Sequence, residues 1–519
     1  MARMPPSNPL IAIIGATGTG KSQLAVELAT KLNGEIINGD AMQMYDGLDI
    51  ITNKIPLVER RDVPHHLLSC VGLDDEPWTV AMFTRKALGI IKEIRSRGRV
   101  PILVGGTHYY TQSLLFRESF IDTEPPVGKA DSPAIQKNSH TRSNDLILEG
   151  PTADILERLR KVDPVMADRW HPNDRRRIQR SLEIYLGTGR RASDIYEEQS
   201  RQRNISMVAT GSEDEDASHC NNGDVALGSH GGPGTVVSEF PPRGRFQSLV
   251  FWIHAEHEIL KPRLDNRVEQ MIRDGLISEV ESLQQYLKDQ ASLERVVDQS
   301  RGIWVSIGYK EFSSYLTAMA SGEASKEELK LLEKEAIEQT KAATRQYAKR
   351  QVRWIRIKLI NAASVAGITG SVFSLDGNDL AQWANNVETP ALNIAQDFLR
   401  GDSLPDPAKL SPTAQEMLVP KRDYDLSDRR DLWVKRTCDS CGKIAVTERD
   451  WERHVKSRGH KIAVKKGKRA GAPEERTGGT GTKCSLQPLD WTYPPGPRPE
   501  EDEPLKTRVS NYLEAIGYE

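Results

Sequence analysis

The apolar run Leu10-Ile11-Ala12-Ile13-Ile14 leads directly into Gly15-Ala16-Thr17-Gly18-Thr19-Gly20-Lys21-Ser22, and then into the helical pattern Gln23 to Ala29. Strand, glycine-rich loop and helix in this order carry the G-x-x-x-x-G-K-[ST] spacing of a phosphate-binding P-loop. Its glycines let the backbone wrap so that successive N–H groups converge on phosphate oxygens, at a helix N-terminus that already favours negative charge. Lys21 adds a mobile positive charge, and the Ser22 hydroxyl suits Mg²⁺. Such a loop belongs to an α/β protein with a parallel-sheet core. It calls for a bound phosphate and leaves open which molecule carries it.

Two further strand ends belong beside it. Glu35-Ile36-Ile37-Asn38 reads as a short strand ending at Gly39-Asp40-Ala41-Met42-Gln43. Val100-Pro101-Ile102-Leu103-Val104 reads as a buried strand closed by Gly105-Gly106-Thr107-His108-Tyr109-Tyr110. In open α/β sheets the ligand crevice lies outside the carboxyl ends of the strands, so all three loops should surround one crevice. Asp40 there suits a Mg²⁺ ligand, a general base or a helix N-cap. His65 and His66 are adjacent, so their side chains diverge and structural roles are expected.

With 519 residues the chain needs more than one domain. We expect residues 1–120 to form the first part of the P-loop core, 121–202 a helical insertion, and 247–360 the completion of the core with Ser248–Ile253 as its last strand. Residues 203–246 and 471–519 are too polar and too rich in Gly, Pro and charge to bury a core, and read as disordered. Residues 361–430 read as a linker. The net charge of −2 means that any nucleic-acid affinity must come from local patches. Two helices offer them. Ile178, Leu182 and Tyr185 share one helical face while Arg176, Gln179 and Arg180 share another. Lys341, Arg345, Lys349, Arg353 and Arg356 recur at steps of three and four as one basic stripe.

Between residues 431 and 470, Cys438-x₂-Cys441-x₁₂-His454-x₅-His460 has the ligand types and spacing of a two-Cys/two-His zinc finger, followed by the basic run Lys461 to Arg469. Five scattered cysteines argue against a disulfide framework and for a reducing compartment. No stretch has the length of a membrane span. A cytoplasmic monomer is expected, with nucleus and mitochondrion open as further compartments and the basic run able to double as a nuclear address.

Taken together, GATGTGKS, GDAMQMY, ITNK at Ile51–Lys54, PHHL, GGTHYY, HPNDRRRIQRSLEIY, RLDNRVEQM, SIGYKEF and TRQYAKRQVRWIR resemble the tRNA dimethylallyltransferases in their eukaryotic, zinc-finger-bearing form. The resemblance runs in order from residue 10 to about 360, leaving out 203–246. It implies transfer of a dimethylallyl group from dimethylallyl diphosphate to the exocyclic N6 amine of the adenosine beside the anticodon (position 37). Gly15 to Ser22 then become a clamp for the leaving diphosphate rather than an ATP site, with Lys21 among the catalytic groups and Mg²⁺ at Ser22. Arg267, with Arg263 as the alternative, adds a further diphosphate contact. Asp40 becomes the general base. Asp40, Ala41, Met42, Gln43, Thr107 and Tyr109 meet the flipped base and its channel. Arg176, Gln179 and Arg180 meet the anticodon loop, zinc holds the finger, and Arg345, Lys349 and Arg353 of the basic stripe are expected to add contacts to the RNA backbone. Gly39 and Ala41 flank Asp40 where many members carry a small hydroxyl residue.

Three other functions compete. Prenylation of free adenine nucleotides would not need the basic helices or the finger. A P-loop kinase or NTPase would need an Asp-bearing strand later in the chain than Asp40. An RNA-binding protein with a vestigial loop would not need Lys21, Ser22 and Asp40 together.

Overall fold

The computed structural model describes residues 4–116, 147–148, 150–198, 244–420 and 433–470. The described chain forms two compact units, one built on 4–116 and 244–420, the other on 147–197 and 433–470.

The first unit begins with β1 (Pro9–Gly15), the glycine loop and α1 (Lys21–Leu32). Asn33, in the left-handed region at φ 51°, turns the chain out of α1 into β2 (Gly34–Asn38). Next come the two-residue β3 (His65–His66), α2 (Val80–Ser96), β4 (Val100–Val104) and α3 (His108–Leu115). The side chains of β3 do diverge. His66 Nε2 meets the buried Glu35 carboxylate at 2.6 Å, which Arg97 and Arg99 also bind, while His65 Nδ1 meets Val63 O at 2.8 Å.

The second unit follows in the chain, with α4 (Thr152–Val162), α5 (Pro164–Arg169) and α6 (Arg175–Thr188). Ile155, Leu159, Met166, Ile178 and Leu182 are among its buried residues, as the helical spacing of Ile178 and Leu182 requires. Trp170 donates its indole N–H to Ser181 Oγ at 2.9 Å, with the Arg169 and Arg177 guanidinium groups 4.6 and 5.1 Å from its ring centre.

The first unit resumes with β5 (Gln247–His254), α7 (His257–Asp274), α8 (Leu276–Ser292) and the 29-residue α9 (Lys326–Trp354). Ser325 and Glu328 close a capping box at the start of α9, which satisfies amides that an unprotected helix end leaves without partners. Residues 361–420 are not a linker. They carry β6 (Val372–Asp376) and α10 (Thr389–Arg400), and β6 pairs in parallel with β5, so Ser248–Ile253 is not the last strand. The sheet has the order β3-β2-β4-β1-β5-β6, and every neighbouring pair is parallel.

Alternation along β1 sends Leu10, Ala12 and Ile14 into one apolar layer and Ile11 and Ile13 into another. Both faces of the sheet are therefore covered, which is why β1 reads as a continuous apolar run. Because all strands run the same way, the loops after β1, β2 and β4 emerge at one edge.

The second unit ends with the hairpin β7 (Trp433–Thr437) and β8 (Ile444–Thr447), then α11 (Glu448–Lys456) and α12 (Arg458–Ala470). The expected disordered stretches 203–246 and 471–519 lie outside the described residues, apart from 244–246. No helix among the described residues is long and apolar enough to cross a membrane.

Candidate active site and metal centre

At that common edge the backbones of two loops touch. Gly39 N donates to Val104 O at 2.7 Å, and a Cβ on Gly105 would lie 2.2 Å from Gly39 C, so only glycine fits there. In the P-loop, Gly20 has φ 85°, and a Cβ on it would lie 2.4 Å from the Trp383 ring. The loop can take this shape only with glycine at that point. Lys21 Nζ donates to Ala16 O at 2.8 Å, and Thr19 Oγ1 donates to the same carbonyl at 2.8 Å, which folds the loop back on itself.

Three charged groups face one cavity of about 240 Å³, lined among others by Lys21, Ser22, Asp40, Gln43, Arg267 and Gln351. Burial lowers the Lys21 ammonium to about 8; Asp40 opposes the shift and Arg267 adds to it. Burial likewise lowers Arg267 to about 10, against the pull of Asp40. Burial raises the Asp40 carboxyl above the ordinary carboxylate range, although the Met42 amide, Lys21 and the Gly106 amide favour its ionised form. The Met42 amide sits 3.1 Å from Asp40 Oδ1, so the local capping bond exists alongside the exposure to the cavity. Two cations and one carboxylate leave the cavity positive, ready for an anion.

The arginine alternatives separate cleanly. Arg267 Nη2 donates to Thr17 Oγ1 at 2.6 Å and lines the cavity. Arg263 does not: it donates to Gly377 O at 2.7 Å and to Asn378 O, tying α7 to the loop after β6. Thr107 is buried and its Oγ1 accepts the Ala41 amide at 3.0 Å, so it holds the Asp40 loop and does not line the cavity. Gln43 and Met42 do line it. Gln43 Nε2 donates to Thr52 O and Asn53 O, at 3.2 and 3.0 Å. Tyr109 is outside the lining and stands edge-on to Trp354 at 6.0 Å between centroids.

The basic stripe on α9 needs correcting. Lys341 binds Glu269 at 3.0 Å and Glu338 at 2.9 Å, Arg345 binds Asp265, and Arg356 approaches Glu416 at 3.8 Å. Carboxylates, most of them from other elements, neutralise much of the stripe, and of its five residues only Lys349 and Arg353 are exposed. In the second unit, Arg176 and Arg180 are exposed on α6, while Gln179 and Arg180 share the Glu183 carboxylate at 3.1 and 3.4 Å.

Two residues of the site escaped sequence reading. Trp383 packs against Gly20 and donates to Glu27 Oε2 at 3.2 Å. Gln351 accepts the Thr17 amide at 2.7 Å and donates to Gly106 O at 2.9 Å. Its signal was available: a Gln in helical register with the aromatics Tyr347 and Trp354, where an apolar side chain is expected.

In the finger, the donor atoms of Cys438, Cys441, His454 and His460 all lie within 4.8 Å of one another. Cys438 Sγ is 3.4 Å from His460 Nδ1 and Cys441 Sγ is 3.4 Å from His454 Nε2. Tetrahedral zinc with ordinary Zn–S and Zn–N bonds sets sulfur and nitrogen about 3.5 Å apart. The four side chains therefore fit a structural zinc ion.

A family model described as IPP transferase matches residues 43–221 and 229–358. The tRNA dimethylallyltransferase of Saccharomyces cerevisiae is 35% identical over 470 residues, covering 89% of this chain and 94% of that protein. The Homo sapiens tRNA dimethylallyltransferase is 33% identical over 461 residues, 89% of this chain and 87% of its own. The Anoxybacillus flavithermus enzyme is 36% identical over 352 residues, covering 67% of this chain and 87% of its own. A crystal structure of a eukaryotic dimethylallyltransferase acting on tRNA superimposes with a TM-score of 0.65 at 33% identity, covering 89% of this chain and 98% of that one. Fold, cavity and relatives agree, and the chain belongs to the IPP transferase family of tRNA dimethylallyltransferases, which are prenyltransferases.

Proposed function

We propose that this cavity transfers a dimethylallyl group from dimethylallyl diphosphate to the N6 amine of the adenosine beside the anticodon (position 37) of tRNA. The observation that carries the assignment is the convergence of Lys21, Arg267 and Asp40 on one cavity. P-loop and Asp40 precede the first residue matched by the family model, so their roles rest on this geometry. The P-loop amides, Lys21 and Arg267 would hold the diphosphate and take up the charge that builds on it as it leaves. Ser22 offers a hard oxygen to Mg²⁺, whose part would be to offset charge on the diphosphate. The N6 lone pair attacks C1 of the dimethylallyl group, the C1–O bond breaks with its electron pair going to diphosphate, and the amine proton passes to Asp40. An exocyclic amine conjugated with the ring is a weak nucleophile, so a carboxylate aligned on its N–H directs the lone pair.

To enter the cavity the base must leave its stack, as enzymes acting on bases require. Gln43 supports the base-reading role through its position on the lining, and exposed Arg176 and Arg180 support contact of α6 with the anticodon loop by charge. The test is incubation of protein and Mg²⁺ with labelled dimethylallyl diphosphate and either an anticodon stem-loop or AMP. Label should enter the stem-loop. Label in AMP alone, or in neither, overturns the proposal.

A further inference from the structure

We infer that Gln351 is a positioning residue that fixes the distance between the diphosphate clamp and the base, an inference that rests on the roles proposed above for the P-loop and Asp40. Its carboxamide is wholly buried and uses both ends. The Thr17 amide of the P-loop donates to Oε1 at 2.7 Å, and Nε2 donates to Gly106 O at 2.9 Å. On the other side of the same residue, the Gly106 backbone lies against the Asp40 carboxylate, and its amide favours the ionised form of that group. A continuous relay therefore runs from Thr17 through Gln351 and Gly106 to Asp40, joining the loops after β1, β4 and β2. Thr17 also receives the Arg267 guanidinium on its hydroxyl at 2.6 Å, so the relay starts at a residue that the second cation grips.

The geometry leaves little slack. A Cβ on Gly106 would lie 2.7 Å from Gln351 Nε2 and 2.8 Å from Asp40 Oδ2, so both side chains pack against the bare glycine backbone. The two roles of the carboxamide are chemically distinct, one an acceptor and the other a donor, and a carboxamide supplies both at any pH. Both polar ends of Gln351 are taken up by backbone groups of the two loops. Gln351 acts by keeping the loop amide that holds Asp40 in register with the loop that holds the leaving group, and small misplacement of reacting groups is costly in rate.

The test uses the full chain and two variants, Gln351→Met and Gln351→Glu. Gln351→Met keeps volume and loses both bonds. At saturating substrates it should transfer about 100-fold more slowly in a single turnover, with the KM for the stem-loop close to that of the parent protein and a cooperative thermal transition that shows a folded protein. Gln351→Glu keeps the acceptor for Thr17 and, at a pH where its carboxyl is ionised, loses the donor to Gly106, and should then also be slow. Amide hydrogen exchange separates the two ends without relying on transfer. In Gln351→Met, exchange should quicken both in residues 15–22 and in 104–111; in Gln351→Glu, only in 104–111 and only at a pH where the new carboxyl is ionised. A folded Gln351→Met protein with parental rate, or one whose two loops keep parental protection, overturns the relay. So does a rate loss that matches a loss of active sites, since that is a purely structural effect. Failure of the parent protein to label the stem-loop would overturn the transfer assignment instead, while the exchange pattern would still decide the relay.

Discussion

Lys21 and Asp40 share one cavity, and burial drives each toward its neutral form: the ammonium down to about 8, the carboxyl upward. For an anionic donor the useful state is Lys21 protonated and Asp40 ionised, which bounds activity on both sides. In the free enzyme kcat/KM for dimethylallyl diphosphate should fall on the alkaline side near pH 8, as Lys21 loses its proton. On the acid side it should fall as Asp40 gains one, at a pH above the ordinary carboxylate range. Bound diphosphate favours the ammonium, so the alkaline limb of kcat at saturating donor should move to higher pH. A pH profile of the parent protein beside Lys21→Arg checks this, because arginine does not titrate there; an alkaline limb that survives in the variant belongs to another group. Asp40→Ala should slow transfer by about 10³-fold, within the usual span for general-base catalysis, while stem-loop affinity stays within a few-fold by filter binding. A large loss of affinity would make Asp40 a binding residue. The meeting of the P-loop residues and Asp40 at one cavity was legible in the sequence because it depends on local backbone and strand ends. Arg263 and Arg267 were not separable, since they lie one turn apart on α7 and only the partners brought by other elements tell them apart.

The elements around the P-loop come from far along the chain, and residues 361–420 supply an unexpected share. Trp383 lies against Gly20 and bonds Glu27 on α1, so this segment braces the loop from outside the cavity. Trp383→Ala should lower stability by about 3–5 kcal/mol, the usual range for losing a buried tryptophan, and raise KM for dimethylallyl diphosphate more than KM for the stem-loop. Urea unfolding and steady-state kinetics read both effects; equal KM changes would mean that the loop keeps its shape without the indole. The sequence hid this segment for a physical reason. β6 is five residues long, lies between Gly370 and Gly377, and acquires its identity only by pairing with β5 more than a hundred residues earlier. The stripe on α9 misled in the same way. Helical periodicity aligned Lys341, Arg345 and Arg356 on one face, but Glu269, Asp265 and Glu416 come from other elements. β1, α1, β2 and β4, by contrast, were legible because each carries its own apolar run and turn residues.

At the scale of the whole molecule, the cavity sits in the first unit, while the second carries the α6 surface and the finger. The finger has few buried residues, Cys438, Ala445 and His454 among those described, and two of these are metal-ligand candidates. So small a core does not hold a fold of this length without metal, and ligand binding and folding become one event. Removing zinc with a strong chelator should therefore melt residues 433–470, seen as fast hydrogen exchange there, while residues 9–38 of the sheet and P-loop stay protected. Mg²⁺ restored after chelation should support transfer at saturating stem-loop, because the cavity is built wholly from the first unit. At limiting RNA the outcome differs. Lys435, Lys443, Arg449, Arg453 and Lys461 are exposed on the finger. If they meet phosphates, full-length tRNA should bind more weakly after chelation, and the slope of log affinity against log salt should become shallower by nearly one for each phosphate that is no longer neutralised. Cys438→Ser should reproduce both changes without chelator. An unchanged salt slope with a melted finger would assign the finger to a partner other than tRNA, and would leave RNA binding to α6 and the cavity rim.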